Sequence, residues 1–327
     1  MRIVSGMRPT GKLHIGHYFG AIDNWLRFQK EHECFFLVAD WHALTSDYQD
    51  TSDIPSHTQE MVIDWLACGV DPEKAIVFQQ SQVKEHAELY LLLSMFTPLG
   101  WLERNPTFKE QKQQITDKDI SNLGFFGYPV LQATDVMIYK GQGVPVGKDQ
   151  VPHLEITREI ARRFNNLTKT EIFPEPEAIL TETPKIMGTD GRKMSKSYHN
   201  SISLSDDENS VEKKIKSMVT DSNRLRRDDP GNPDACNLFP LHKKYSPMDT
   251  QQEVRQGCTT ASMGCVDCKK ILLPNINNWL NPIREKRLDL ENKPNRVREI
   301  LHTGNQKARQ VATSTIEEVR KTLHLAS

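Results

Sequence analysis

"RIVSGMRPTGKLHIGHYFG", residues 2–20, decides the fold. Its first five residues are a short β-rich run. Gly11, Gly16 and Gly20 then punctuate a turn that opens into a helical stretch, "HYFGAIDNWLRFQKE" (17–31). Two further β-rich runs follow, "CFFLVAD" (34–40) and "AIVFQQS" (75–81), with the helical "IPSHTQEMVIDWLACG" (54–69) between them. Strand, helix, strand in this order predicts βαβ units and a parallel sheet. The amphipathic "PVLQATDVMIYKG" (129–141) leads through "VPVGKDQ" (144–150) into another helical stretch, "VPHLEITREIARRF" (151–164). The expected fold is therefore α/β, a doubly wound parallel sheet.

Beyond Thr189 the pattern changes. "DGRKMSKSYHNSIS" (190–203) has no periodicity and reads as a loop. "VEKKIKSMVT", "NINNWLNPIREKR" and "KARQVATSTIEEVRKTL" after it are helix-prone. The expected division is a domain over 1–189 and an all-helical C-terminal domain over 190–327, which suits a chain of 327 residues. There is no internal repeat or low-complexity tract.

Composition narrows the function. The chain is 37% apolar and 26% charged with no run long enough to span a bilayer, which argues against a membrane protein. "MRIVSGMRPTGK" lacks the apolar core of a signal peptide, so the expected location is the cytoplasm. The net charge of −1 hides an asymmetry: residues 201–327 carry 21 Lys and Arg against 17 Asp and Glu, so +4, and the first 200 carry −5. A mild basic bias suits contact with phosphates, and a solvated helical surface explains it equally well.

Two motifs carry chemistry. A helix that opens just after a first strand offers free backbone N–H groups and a positive dipole end to a phosphate. His14 and His17, three apart in "HIGH", can both donate hydrogen bonds to phosphoryl oxygens; two surface histidines at a helix start are the blander alternative. "KMSKS", Lys193 to Ser197, sets two lysines and two serines on the expected loop, where they can close over a pyrophosphate leaving group. Alone, such a loop is more often solvated surface. Together the motifs complement each other, one holding the α-phosphate and base, the other the departing phosphates.

With these two motifs the chain resembles the class I aminoacyl-tRNA synthetases, and "VADWHALT" (38–45) and the stretch 127–165 resemble the tryptophanyl members in particular. The resemblance implies a Rossmann-type catalytic domain, a helical anticodon-binding domain, a homodimer, and ATP with Mg²⁺. It also implies two steps: L-tryptophan is activated as its adenylate, then passed to the terminal adenosine of tRNA(Trp). Carried over position by position, Arg8, Pro9, Thr10, Gly16 and His17 would face ATP. Gly147, Lys148 and Asp149 would hold its ribose, and the backbone around Ile186 would border adenine. Lys193, Met194, Ser195, Lys196 and Ser197 would close on the phosphates, with His14, His17, Lys193, Lys196 and Ser197 as the catalytic set. Tyr128 and Gln150 would orient the amino and carboxylate groups of tryptophan. Lys148 departs from the family, whose members generally carry an acidic residue there.

Asp135 bears on the amino acid. Its helical neighbours Leu131, Val136 and Ile138 are apolar, so its carboxylate is expected in an apolar pocket, where it accepts from an indole N–H. It would accept from a tyrosine hydroxyl too, and residue type alone does not separate the two. Gln132, one turn earlier, is a second pocket candidate.

Four of the six cysteines, Cys236, Cys258, Cys265 and Cys268, follow the pattern C-x21-C-x6-C-x2-C. In a reducing compartment four thiolates can close a tetrahedral metal site or a cubane cluster. Zinc and unliganded thiols stay open on the spacing; the unequal gaps resemble the quartet that a bacterial subset of the family uses for a [4Fe-4S] cluster. Cys34 and Cys68 read as small buried hydrophobes.

Overall fold

The computed structural model describes residues 1–104, 120–147, 150–180 and 186–325. Among them five strands form one parallel sheet in the order β3-β2-β1-β4-β5: β1 (Arg2–Met7), β2 (Glu33–Val38), β3 (Ala75–Gln79), β4 (Gly143–Val146) and β5 (Glu177–Leu180). The central register pairs Arg2 with Glu33 through Met7 with Val38. The three expected strands form, β2 and β3 ending at Val38 and Gln79, short of the ends of the runs 34–40 and 75–81. β4 and β5 add two more: "GVPV" is a strand, where the sequence reading saw only a connecting passage.

Among the described residues the α-helices are α1 (Ile15–His17), α2 (Asp23–Phe28), α3 (Asp40–Asp47), α4 (Ile54–Cys68), α5 (Glu85–Phe96), α6 (Leu99–Glu103), α7 (Leu123–Met137), α8 (Val151–Thr168), α9 (Glu208–Ser217), α10 (Phe239–Tyr245), α11 (Met248–Thr259), α12 (Cys265–Glu291) and α13 (Pro294–Thr322). A π-helical turn over Tyr18–Ile22 joins α1 to α2.

The chain divides into two compact units, and the division is not the expected cut at 189/190. One comprises Met1–Gly11, Asn24–Glu182 and Lys293–Ser327, and the other Lys12–Asp23 with Thr183–Asn292. The first holds the sheet. Phe35, Phe78, Tyr139 and Phe164 are fully buried in its core together with Ala308, Ala312, Ile316 and Val319 of α13. So the last helix, expected in the second domain, belongs to the sheet unit. The reason is its stripe of small and apolar residues at helical spacing. Gly304 lets the helix lie on the backbone of β3, since a Cβ there would come within 1.8 Å of the Val77 carbonyl oxygen. Asn305 accepts the Gln79 N–H at 2.8 Å, and Arg309 and Arg320 pair with Glu85 and Glu88 of α5.

The second unit is mostly helical. Ile202, Leu204, Val211, Ile215, Leu272, Ile276 and Leu280 are buried in it. The "HIGH" segment is bound into this unit: Ile15 N–H donates to Ile202 C=O at 3.0 Å, and Leu204 N–H to Leu13 C=O at 2.9 Å.

Candidate functional site

In an open parallel sheet, ligands settle beyond the carboxyl ends of the strands where the strand order reverses. Here that point lies between β1 and β4. A cavity of about 340 Å³ opens there, lined by Val4, Ser5 and Gly6 of β1 and Val144, Pro145 and Val146 of β4. Its size is that of small-molecule sites, about 300–1,000 Å³. Helix α7 supplies Phe125, Tyr128, Gln132, Asp135 and Val136 to the lining, a spacing that puts them on one face of the helix. Asn122 starts α7 by accepting the Phe125 N–H at 2.8 Å. Arg8, His42, Thr45, Gln150 and His153 complete the polar lining.

The cavity thus brings together Arg8, Tyr128, Gln132, Asp135 and Gln150 of the residues expected from sequence. Arg8 is exposed and reaches Ser46 Oγ at 3.4 Å. The Tyr128 hydroxyl lies 2.8 Å from His153 Nε2, and burial raises its pKa against the opposing charge of Arg8. Pro9 is buried, Thr10 exposed and Gly147 half-buried. Lys148 and Asp149 lie outside the described residues.

Asp135 is only 5% exposed. Its Oδ1 accepts from Gln80 Nε2 at 2.7 Å and from His86 Nδ1 at 2.7 Å, and its Oδ2 from His42 Nε2 at 2.8 Å. Burial alone would raise the carboxyl pKa, but the bonds from His42 and His86 outweigh it and hold the group below the usual carboxylate range. His42, Gln80 and His86 were not singled out from sequence. Only His42 had a signal, its place in "VADWHALT".

The phosphate motifs lie in the second unit. His14 caps α1: its Nδ1 accepts the Gly16 N–H at 3.1 Å, and His17 Nδ1 accepts the His14 N–H at 3.2 Å. Because both Nδ1 atoms accept, each neutral imidazole carries its proton on Nε2 and keeps it for donation elsewhere. Burial first, then the charge of Lys196, lowers the His14 pKa to about 4; burial, His14 and Lys196 lower that of His17 to about 3. Gly16 fits closely, since a Cβ there would stand 2.9 Å from the His14 ring and 3.8 Å from Met194 Cβ. The structure therefore gathers His14, Gly16, His17, Met194 and Lys196.

The segment read as a loop is more ordered than expected. Ile186 to Met194 folds back on itself, with Gly188 N–H donating to Arg192 C=O at 2.7 Å and Met194 N–H to Ile186 C=O at 3.2 Å. Ile186 and Met194 are buried; Lys193 and Ser197 are exposed, and Ser195 and Lys196 half-buried. Ser195 Oγ and Ser197 Oγ are 2.8 Å apart. Asn200, unremarked in the sequence, is the buried hub: it accepts the Ser195 N–H at 2.8 Å and donates to Asp190 Oδ1 at 2.7 Å and to Lys193 C=O at 3.2 Å.

The cysteine quartet also lies in this unit. Cys265 and Cys268 begin α12 and Cys258 lies near the end of α11, all partly buried like Cys236. Burial raises the thiol pKa of Cys258, and pushes that of Cys268 up to about 12, with the other three cysteines adding to the shift of Cys268. His242 Nε2 stands 3.3 Å from Cys268 Sγ, and Leu238 N–H donates to Cys236 Sγ at 3.4 Å. Among the described residues no three His, Cys, Asp or Glu side chains are gathered as ligands of a single metal ion. Cys34 is buried in β2 and Cys68 half-buried at the end of α4. None of the described helices is long and apolar enough to cross a membrane.

Comparison with known proteins agrees with this geometry. The sequence model of the class I tRNA synthetases (W and Y) matches residues 1–281. The tryptophan–tRNA ligase of Thermotoga maritima is 55% identical over 327 residues, covering 99% of each chain. That of Aquifex aeolicus is 46% identical, covering 99% of this chain and all of its own. The crystal structure of tryptophanyl-tRNA synthetase from Campylobacter jejuni, complexed with ADP and tryptophan, superposes with a TM-score of 0.90 at 38% identity, covering 99% of this chain and 100% of that one. On this evidence the chain belongs to the class I tRNA synthetases for tryptophan and tyrosine, and within them to the tryptophan–tRNA ligases.

Proposed function

We propose that the chain activates L-tryptophan with ATP and Mg²⁺, releasing pyrophosphate, and then transfers the tryptophanyl group to the 3′ adenosine of tRNA(Trp). The observation that carries the choice of amino acid is Asp135, an ionised, buried carboxylate in the lining of a cavity beside β1 and β4 whose other walls mix polar and apolar side chains, not the apolar pocket expected from sequence. It accepts the indole N–H, and a phenylalanine ring has nothing to offer it. Tyr128 and Gln150 orient the amino and carboxylate groups, and Gln132 is a further polar contact.

Activation needs no protein nucleophile. The tryptophan carboxylate attacks the α-phosphorus, the bond to the β-phosphate oxygen breaks, and pyrophosphate leaves with the electron pair. The protein contributes positioning and charge. His14 and His17 donate from Nε2 to phosphoryl oxygens, Lys193 and Lys196 neutralise the departing phosphates, and Ser195 and Ser197 add hydroxyl donors with the Met194 backbone between them. Arg8, Pro9, Thr10 and Gly16 face ATP, Gly147, Lys148 and Asp149 the ribose, and Ile186 the adenine. The chemistry that Mg²⁺ would supply, when bound with ATP, is partial neutralisation of the phosphate charge.

The helical segments between residues 190 and 292 are read as the anticodon-binding region, without α13, which belongs to the sheet unit; the active form is read as a homodimer and the location as the cytoplasm. Cys236, Cys258, Cys265 and Cys268 are read as ligands of a [4Fe-4S] cluster. The support is an all-thiol donor set within one unit, with Cys258 on α11 and Cys265 and Cys268 at the start of α12. When bound, the cluster would cross-link a segment poor in core-forming residues. Protein purified without oxygen should be brown with about four irons per chain, as four cysteines and a cubane require; stoichiometric zinc without iron would overturn it.

ATP–pyrophosphate exchange across a panel of amino acids tests the main reading. Tryptophan should support exchange and tyrosine should not; exchange driven by tyrosine, or by no amino acid, refutes it.

A further inference from the structure

Two fully buried groups lie behind Asp135, away from the cavity. His86 is 0% exposed and bridges Asp135 to Tyr139: Nδ1 lies 2.7 Å from Asp135 Oδ1, and Nε2 lies 2.6 Å from the Tyr139 hydroxyl. Tyr139 is also fully buried, its ring packed against Phe35 and Phe78.

The hydrogen bonds have one consistent direction. An ionised carboxylate can only accept, so the Nδ1 of His86 carries the proton given to Asp135. Burial, reinforced by the charges of Asp135 and Glu85, raises the Tyr139 pKa, so the phenol keeps its proton and donates it to Nε2. Gln80 is fixed in the same way, its Oε1 accepting the Trp41 N–H at 3.1 Å while its amide donates to Asp135 Oδ1.

A carboxylate offers about four acceptor positions. Gln80 and His86 occupy both on Oδ1, and His42 takes one on Oδ2. Asp135 and His42 line the cavity, whereas Gln80 and His86 do not. The open position is thus on Oδ2, on the cavity side.

We propose that His86 and Tyr139 are positioning residues that make Asp135 selective for a ring N–H: the Tyr139 hydroxyl anchors the His86 ring at Nε2, His86 with Gln80 saturates Oδ1, and the carboxylate is left with one acceptor position facing the substrate. This rests on the reading of Asp135 as the indole partner and deepens it. An indole N–H donates and brings no lone pair in the ring plane. A phenol oxygen brings lone pairs of its own to the carboxylate, and the neighbouring His42 Nε2–H is already committed to Oδ2. Without the Tyr139 hydroxyl, the buried Nε2 of His86 loses its donor and the ring is held at one end only. His86 then shifts toward other partners, and the carboxylate loses part of its fixed orientation.

The test uses the full-length protein and two substrates of nearly equal shape, tryptophan and 3-benzothienylalanine, in which sulfur replaces the indole N–H. In the unaltered protein kcat/KM for exchange should favour tryptophan by about 10- to 100-fold, the value of a hydrogen bond to a charged group. Tyr139→Phe, which keeps the packed ring, should shrink that preference about tenfold with the KM for ATP unchanged. His86→Leu should do the same, while His86→Asn, whose amide can still donate to Oδ1, should retain most of it. A preference near one in the unaltered protein overturns the reading of Asp135 itself. A preference kept intact in Tyr139→Phe, or lost as fully in His86→Asn as in His86→Leu, overturns the positioning role alone. Should His86→Leu fail to fold, Tyr139→Phe decides.

Discussion

His14 and His17 face one another with ring centroids 3.7 Å apart, each accepting a backbone N–H on Nδ1. Two imidazolium ions at that distance beside Lys196 would repel strongly. The close pair holds because both rings are neutral, with pKa values near 4 and 3 against an ordinary 6.5.

The first prediction concerns pH. A histidine whose folded pKa is depressed binds fewer protons folded than unfolded. Its contribution to stability is therefore complete above pH 6.5 and is lost as pH falls through about 4 for His14 and about 3 for His17. Thermal unfolding at pH 7 and pH 5 should show a smaller loss in the His14→Gln/His17→Gln double variant than in the parent. Equal losses would mean that neither ring is held neutral.

Lys196→Ala should slow adenylate formation far more than it weakens tryptophan binding, because the lysine acts on charge that moves in the transition state. Losing a contact of about 3 kcal/mol slows the step on the order of 100-fold. An unchanged single-turnover rate would make the segment mere surface.

Asn200→Ala removes the buried partner of the Ser195 N–H, the Asp190 carboxylate and the Lys193 carbonyl. Leaving such groups unsatisfied costs about 1–3 kcal/mol. The KM for ATP should rise several-fold and the melting temperature should fall, with tryptophan affinity kept. A variant identical to the parent would show that the lysine segment orders itself without this hub.

Gly304→Val tests the return of α13 to the sheet. A side chain there meets the Val77 carbonyl directly, and overpacking of this kind costs about 1–3 kcal/mol or more. Denaturant unfolding should move to a lower midpoint. No shift would mean that α13 does not rest on β3.

Much of this was legible in the sequence because it is local. "HIGH" and "KMSKS" are read from adjacent residues, the first three strands are short β-rich runs, and Asp135 has apolar neighbours at helical spacing. The rest depends on distant segments meeting. Gln80 follows β3, His42 lies in α3 and His86 in the first turn of α5; only the strand order brings their side chains to one carboxylate. β4 is four residues long with Pro145 inside it, too short for an alternation to register. The division at 189/190 went astray because chain order does not reveal that Lys12–Asp23 folds with the later segments or that α13 folds with the sheet.

The central claim is that Asp135 reads the indole, and calorimetric titration of Asp135→Ala tests it most directly. The variant loses a hydrogen bond from the substrate to a charged acceptor, worth about 1.5–3 kcal/mol, so tryptophan should bind about 10- to 100-fold more weakly while a non-hydrolysable ATP analogue binds as before. Equal weakening of both ligands would contradict the claim and make Asp135 a support of the fold.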